Sequence, residues 1–253
     1  MPDEPPTDVL PVALDLVQGA GAEDIPLRLV GGLAVRALCP SFPPRVRARQ
    51  DLDLASISDS RSPLTSFLVE RGLEPDKRFN ALYGHKQLYF AAPDGRSVDV
   101  LIDQLEMCHV LLFKDRIQRM PVTLDVTDVL LSKLQIVELT PKDAQDVVYL
   151  LSAYEVRAGD EVGTVGLDRI TSIVRDDWGW WRTVSMNLDR IREFATGQGR
   201  DLVPAGGSFD VTEQIEGLGQ AVEQVPKSLR WKLRARIGER KRWYNVPEED
   251  SHD

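Results

Sequence analysis

Two aspartates, Asp51 and Asp53, are the residues best suited to chemistry, and they stand one residue apart in the run Asp51-Leu52-Asp53-Leu54. A strand alternates its side chains between two faces, so both carboxylates point to one face and both leucines to the other. Two carboxylates one pleat apart suit Mg²⁺, a hard cation that prefers oxygen ligands. The pattern predicts a strand that can hold a metal ion, although such a pair by itself is also typical of a solvated strand end.

A pair of glycines, Gly31 and Gly32, follows the short apolar run at 27–30 and opens the Leu- and Ala-rich run at 33–38. This order predicts a strand, a glycine turn and a helix. A turn without Cβ atoms can come close to a phosphate, and the first N–H groups of the helix can bind the same anion. A Gly-Gly pair alone is more often a plain turn.

The loop at 40–50 connects the glycines to the aspartates and carries Arg47 and Arg49 directly before Asp51. Arginine forks match phosphate oxygens in geometry, so Arg47 is a candidate for neutralising a triphosphate. The alternative is that these arginines form weak ion pairs with acids at the surface.

A third carboxylate, Asp99, interrupts the apolar run at 98–102. This run and the one at 86–92 flank Pro93-Asp94-Gly95, which predicts a β-hairpin. A charge within a buried strand is costly unless it is paired or bound to a metal, so Asp99 is the candidate third ligand. Asp103 has the same strand parity, and the pattern alone does not exclude it.

Two further helices are predicted at 127–137 and from Thr140 onward, with Thr127 and Thr140 as their N-caps. Lys133 lies on the first helix, where it either contacts a phosphate or faces solvent. Asp143 occupies the capping position of the second helix, and a cap is the simpler interpretation of it. Asp146 either orients Lys133 or faces solvent.

Together these motifs resemble the DNA polymerase beta superfamily of nucleotidyltransferases, in which a Gly-Gly or Gly-Ser pair precedes an Asp-x-Asp pair and a third carboxylate follows on a later strand. Lys133 followed by Lys-Asp-x-x-Asp at 142–146 is similar to the downstream motif of its abortive-infection (AbiE-type) toxin branch. The resemblance covers about residues 25–152. This chain departs from the family in a longer interval before Asp51 and in Gly32, where many members carry serine.

The resemblance implies Mg²⁺-dependent transfer of a nucleoside monophosphate from an NTP to a hydroxyl acceptor. Asp51 and Asp53 would hold two Mg²⁺ ions, while Asp99 would share one ion and accept the proton of the hydroxyl. The glycine amides and Lys133 would bind the nucleotide phosphates. The acceptor would be an RNA end, as in the toxin-type enzymes, or a small molecule such as an antibiotic. In the toxin-type case an antitoxin is a candidate partner, and the sequence leaves its existence open.

The alternative is a non-catalytic binding or regulatory module that keeps the nucleotidyltransferase fold. Loss of one carboxylate would mark that class, and all three are present. The long interval before Asp51 nevertheless leaves the placement of the pair open.

The segment at 227–244 is strongly basic, with eight Lys or Arg against one acid, Glu239, and hence a net charge of +7. Its basic and aromatic residues are Lys227, Arg230, Trp231, Lys232, Arg234, Arg236, Arg240, Lys241, Arg242, Trp243 and Tyr244. Basic and aromatic residues together can follow a nucleic-acid backbone and stack on bases, which makes RNA a candidate partner. The alternative is a strap that docks on the protein itself. The tryptophans at 178–181 indicate packing between helices rather than base stacking.

The composition fits an ordinary globular chain, with 253 residues, 42% hydrophobic content and a net charge of −9. We expect an α+β fold with a small mixed sheet, a nucleotidyltransferase-like core at 1–152 and a helical region at 153–253 packed on it. No run of eighteen apolar residues and no basic leader occurs, which predicts a cytoplasmic protein without a membrane partner. Cys39 and Cys108 fit no metal spacing and read as buried thiols, and His109 reads as a core histidine.

Overall fold

The computed structural model describes residues 8–42, 50–197, 199–202 and 207–246. The chain divides into two compact units: unit 1 comprises residues 1–105 and 112–125, and unit 2 comprises residues 106–111 and 126–253. Unit 1 contains a mixed sheet and unit 2 is largely helical, which confirms the expected α+β class. The helices within 126–152, which we expected with the sheet, group with the C-terminal helices in unit 2.

A five-stranded sheet forms the centre of unit 1. Its strands are β1 (Arg28–Leu29), β2 (Leu52–Ser56), β3 (Glu74–Pro75), β4 (Gln87–Ala91) and β5 (Ser97–Ile102). The strand order is β1-β2-β5-β4-β3, with β2 and β5 parallel and the other neighbours antiparallel. Strands β4 and β5 form the predicted hairpin. The short strands β6 (Gln104–Glu106) and β7 (Val110–Leu112) follow along the chain.

Four α-helices lie in the described part of unit 1. They are α1 (Leu10–Ala22), α2 (Gly31–Leu38), α3 (Arg61–Glu70) and α4 (Lys77–Tyr83). Leu64, Phe67 and Leu68 are buried on α3, as their spacing predicts. Helix α1 begins with a proline in its first turn and runs further than the apolar pattern at 8–16 indicates.

Unit 2 consists mainly of helices. They are α5 (Val126–Leu134), α6 (Pro141–Ala153), α7 (Leu167–Val174), α8 (Trp178–Thr196), α9 (Val211–Gln224) and α10 (Leu229–Ala235), with two-residue strands β8 (Val156–Arg157) and β9 (Val165–Gly166) pairing in parallel. Within the described ranges, no helix is both long and apolar enough to cross a membrane. Cys39 and Cys108 are free, buried thiols, as expected.

One predicted N-cap is correct and the other is wrong. Thr140 caps α6, because its side chain accepts a hydrogen bond from the amide of Asp143. Thr127 lies inside α5 and is fully buried. Its hydroxyl donates to the Thr164 carbonyl at 3.0 Å and accepts from the Gly166 amide at 2.9 Å. Thr127 therefore ties α5 to a distant segment instead of starting the helix.

The tryptophan cluster of unit 2 packs as predicted. Trp178 and Trp180 are buried at the start of α8. His109 is also buried, with its ring 5.0 Å from the ring of Trp180 and its Nε2 atom 2.8 Å from Thr183 Oγ1. Burial lowers the pKa of His109 to about 4, against the opposing charge of Asp177. These contacts confirm that His109 is a core histidine.

Candidate active site

The parallel pairing of β2 and β5 brings two of the predicted carboxylates together. Asp53 and Asp99 are register partners on these neighbouring strands. Leu52, Leu54 and their partners on β5 are buried, so Asp53 and Asp99 share the opposite face of the sheet. Because neighbouring strands lie about 4.8 Å apart, these carboxylates are side by side. Asp53 is exposed and Asp99 is half-buried.

Asp51 is the residue directly before β2 and is also exposed. It stands two residues before Asp53, so strand alternation places both side chains on the same face. Its Oδ1 atom accepts a hydrogen bond from the amide of Ser97 at 3.3 Å. Ser97 is the first residue of β5, so this bond ties Asp51 to the strand that carries Asp99.

The glycine turn lies directly against this acidic face. The amide of Val30 donates to the Asp53 carbonyl at 3.0 Å, and α2 begins at the next residue. Gly31 has a φ of +61°, and a Cβ atom built on it would lie 2.8 Å from Asp53 Oδ2. Glycine is therefore required at position 31 both for the backbone conformation and for the close approach of Asp53. A Cβ at Gly32 would meet nothing within 4 Å.

Gln87 is a contact of this site that the sequence analysis missed. Its Nε2 atom donates to Asp99 Oδ1 at 2.6 Å, which fixes one oxygen of the half-buried carboxylate. Gln87 is uncharged and belongs to none of the sequence motifs, so the motif analysis did not identify it. The hairpin turn at 93–95 could have revealed it, because counting back along the ladder pairs Tyr89 with Asp99 and places Gln87 one pleat away.

Asp103 is not part of the acidic face of β2 and β5. It follows the end of β5 with a φ of +64°, and its Oδ1 atom accepts from the amide of Ser58 at 2.9 Å. Lys114 lies 3.7 Å away as an ion-pair partner. Asp103 thus holds the turn after β5, whereas Asp99 lies on the strand beside Asp53. The role of Asp99 as the third metal ligand stays a prediction. Arg47 and Arg49 lie outside the described residues.

Mg²⁺ at phosphate-transfer sites is commonly held by one or two carboxylates, while water and substrate phosphates supply the other ligands. The paired Asp53 and Asp99 fit that requirement. Across the described ranges, no group of three or more His, Cys, Asp or Glu could hold a metal ion. A metal ion at this face would therefore take its remaining ligands from a nucleotide and water.

The downstream charged residues form a separate cluster inside unit 2. Lys133 Nζ lies 3.1 Å from Asp143 Oδ1 and 3.1 Å from Asp146 Oδ2. Lys133 is only 7% exposed and Asp146 is 0% exposed. Burial opposes ionisation of Asp143, but the Lys133 ammonium and the Thr140 hydroxyl outweigh it, and the pKa of Asp143 is lowered.

Of the alternatives left open for Asp146, the structure supports orientation of Lys133 and contradicts a solvent-facing carboxylate. The solvated-helix alternative for Lys133 is likewise wrong. Asp143 combines its capping position with an ion pair. Contact of Lys133 with a nucleotide phosphate stays a prediction.

The basic segment at 227–244 packs on its own unit. Trp231 lies 5.1 Å from Trp181, and Trp243 lies 6.1 Å from Trp178, both nearly edge to face. Arg182 on α8 pairs with Glu239 at 2.6 Å. The segment therefore docks on α8, as the strap alternative predicts, and aromatic packing contributes more of these contacts than ion pairing does. Binding of RNA by this segment stays a prediction.

Comparison with solved structures finds a likeness to the crystal structure of an antigenic nucleotidyltransferase-like protein from Paracoccidioides brasiliensis. The TM-score is 0.38 and the identity is 14%, over 87% of this chain and 94% of that chain. This likeness is too distant to establish a shared fold or activity. No protein-family model and no curated protein sequence matches the chain.

Proposed function

We propose that the acidic face of β2 and β5 is the nucleotide site of a nucleotidyltransferase, which transfers a nucleoside monophosphate from an NTP to a hydroxyl acceptor. The observation that carries the proposal is the meeting of three sequence motifs. Asp53 pairs in register with Asp99, and Gly31 lies against the Asp53 carboxylate. Chance does not readily bring a glycine turn, a helix start and paired carboxylates to one place on a sheet.

Each residue has a distinct role in this proposal. Asp53 and Asp99 would hold one Mg²⁺ ion, and Asp51 and Asp53 a second. The bound ions would supply neutralising charge and Lewis acidity for phosphoryl chemistry. The amides of Gly31 and Gly32 would bind nucleotide phosphates at the start of α2. Asp99 would accept the proton of the attacking hydroxyl.

Gln87 supports the role of Asp99 by holding one of its two oxygens. A carboxylate fixed in this way cannot rotate freely, so its second oxygen is presented in a constant direction. We regard Gln87 as a positioning residue rather than a catalytic one. Arg47, four residues before Asp51 in the sequence, is proposed to neutralise the triphosphate.

The acceptor is proposed to be an RNA end, with a small molecule such as an antibiotic as the alternative. A transfer assay with each α-labelled NTP, Mg²⁺ and a panel of RNA oligonucleotides and aminoglycosides tests both. We expect label in one class of acceptor, and loss of that label in Asp53→Asn. Asp115→Asn is the matched control, since Asp115 is an exposed carboxylate of unit 1 that is not part of strand β2 or β5.

One observation favours a second candidate, a nucleotide-binding module without transferase activity. The described residues contain no ready group of three metal ligands. Such a module would bind an NTP at the same face but transfer nothing to any acceptor. Release of pyrophosphate from bound NTP separates the two candidates, because only the transferase produces it.

A further inference from the structure

Unit 2 contains a polar cavity that the site in unit 1 does not involve. Its volume is about 310 Å³, and it lies between the start of α8 and the basic segment at 227–244. Its wall combines three arginines with three aromatic rings: Arg230, Arg234, Arg242, Trp178, Trp243 and Tyr244. The volume is at the lower end of small-molecule pockets, roughly 300–1,000 Å³, which suits one nucleotide unit.

The wall of the cavity is held by internal contacts. The guanidinium of Arg234 lies 4.7 Å from the ring centre of Trp178 and donates to the carbonyls of Gly238 at 2.7 Å and Lys241 at 2.8 Å. Trp243 donates from Nε1 to Thr183 Oγ1 at 3.1 Å. One cation and one ring are thus positioned before any ligand arrives, which reduces the entropy cost of binding.

The other two arginines are exposed. Neither Arg230 nor Arg242 is paired with a carboxylate of the described residues, and the guanidinium of Arg242 lies 5.9 Å from the ring centre of Tyr244. Two acids, Asp176 and Asp177, also line the cavity. Asp177 is occupied as the N-cap of α8, where its Oδ1 atom accepts from the amides of Gly179 at 2.7 Å and Trp180 at 3.1 Å. With three arginines and two aspartates, the lining carries a formal net charge of +1.

We propose that this cavity binds one nucleotide of a single-stranded nucleic acid. Arginine forks bind phosphate oxygens in a bidentate manner, and the half-exposed rings of Trp243 and Tyr244 offer surfaces on which a base can stack. A duplex does not fit, because its bases are stacked on one another and cannot enter a recess. Lys232 and Arg236 are exposed on the same segment but do not line the cavity.

Binding at this cavity does not require transferase activity. That the bound strand is also the acceptor of nucleotidyl transfer rests on the proposed function. In that case the cavity selects a polymeric acceptor rather than an antibiotic.

The test measures binding of a labelled ten-nucleotide single strand, as RNA and as DNA, to the full chain at low salt by fluorescence anisotropy. We expect Arg230→Ala/Arg242→Ala to weaken binding by at least ~10-fold, since two charge-assisted contacts to phosphate are lost while the aromatic rings remain. The slope of log K against log salt should fall by about 1.4, for two lost phosphate contacts on a single strand. The RNA and DNA arms show whether the 2′-hydroxyl contributes.

The matched control is Lys232→Ala/Arg236→Ala, which removes the same charge from the same segment outside the cavity. We expect this variant to bind within about threefold of the wild type if the cavity, rather than diffuse charge, holds the strand. Equal weakening in both variants would overturn the proposal, as would tighter binding of a duplex than of the single strand.

A second variant changes the shape of the cavity without changing its charge. A Cβ at Gly179 would lie 2.6 Å from the Trp243 carbonyl oxygen, so Gly179→Ala must displace the backbone that carries Trp243. We expect weaker strand binding in this variant and unchanged binding in Gly217→Ala on α9, where a Cβ meets nothing within 4 Å.

The exposed apolar side chains of Leu229, Leu233 and Ile237 lie on the same segment and suggest a different outcome. Association of the chain with vesicles of anionic phospholipid, without single-strand binding, would overturn the proposal in favour of a lipid surface. Asp53→Asn separates failure of this proposal from failure of the proposed function. This variant should lose nucleotidyl transfer and bind the strand like the wild type. Strand binding without transfer in the wild type would therefore count against the proposed function, and transfer without strand binding would count against the cavity.

Discussion

Two charged clusters that the sequence suggests as parts of one site differ sharply in their surroundings. In unit 1, Asp51 and Asp53 are exposed and Asp99 is half-buried on an open sheet face. In unit 2, Lys133 and Asp146 are buried and neutralise each other. An open acidic face can accept a cation and a nucleotide, whereas a closed ion-pair cluster already satisfies its charges. This difference supports our proposal of a ligand site at the first cluster and indicates a structural role for the second.

Removal of the cation from the buried cluster should have the largest effect on stability. Lys133→Met leaves two carboxylates, one of them fully buried, without their positive partner. We expect the free energy of unfolding to fall by about 3–5 kcal/mol, as measured by urea denaturation. The double variant Lys133→Met/Asp146→Asn should recover part of this loss, because it no longer buries a full negative charge.

The same variant tests the predicted phosphate contact of Lys133. If Lys133 contacts a nucleotide phosphate, the NTP affinity of folded Lys133→Met should fall about tenfold or more. A fall of this size with unchanged stability would show that the Lys133 cluster binds the ligand and does not stabilise the fold.

Neutralising the open face should affect activity and leave stability nearly unchanged. We expect Asp53→Asn and Asp99→Asn each to lower the rate of nucleotidyl transfer by about 10²–10³-fold, a range typical for loss of one electrostatic contact to the transition state. Gln87→Ala should lower the rate less, because it only frees the Asp99 carboxylate to rotate. Initial rates at saturating NTP provide the measurement, and a loss of folding in Asp53→Asn would break the comparison.

The pH dependence of stability tests whether His109 is buried in the interior of unit 2. Its pKa is lowered to about 4, below an ordinary value of 6.5, so the unfolded chain binds a proton more readily than the folded one. The stability contributed by neutral His109 is complete above pH 6.5 and is lost as the pH falls toward 4. We expect a loss of about 2 kcal/mol between pH 7.5 and pH 5.

Denaturant titration at the two pH values measures this effect. His109→Gln is the control, since its amide can still reach Thr183 but does not titrate. Equal pH dependence in the wild type and the control would show that another group is responsible.

Alanine substitutions at the adjacent Gly31 and Gly32 should differ in their effect on stability, and this is the smallest effect predicted here. Gly31→Ala forces a side chain into the left-handed region and against Asp53, at a cost of about 1–2 kcal/mol for the backbone alone. Gly32→Ala meets nothing within 4 Å and should be nearly neutral for stability. The melting temperatures and NTP affinities of the two variants measure this difference. Equal effects would mean that Gly31 does not support Asp53.

Local patterns predicted much of unit 1. The alternation of side chains along a strand predicted that Asp53 faces away from Leu52 and Leu54. The turn residues at 93–95 predicted the hairpin of β4 and β5. The parallel register of β2 with β5 could not be read, because β3, β4 and two helices intervene along the chain. The sequence therefore named Asp53 and Asp99 without placing them side by side.

Unit 2 was harder to predict, since long-range packing overrides local signals there. Thr127 has the residue type of an N-cap, but its hydroxyl bonds Thr164 and Gly166, almost forty residues away. The burial of Lys133 likewise depends on the packing of α5 and α6, which helical spacing alone does not reveal.

Isothermal titration of the four NTPs, with and without Mg²⁺, tests the nucleotide site most directly. The wild type and Asp115→Asn should bind one NTP in a Mg²⁺-dependent manner, and Asp53→Asn/Asp99→Asn should bind none while keeping the wild-type circular dichroism spectrum. Unchanged NTP binding by the double variant, or no binding of any NTP by the folded wild type, would contradict the assignment of the acidic face of β2 and β5 as a nucleotide site.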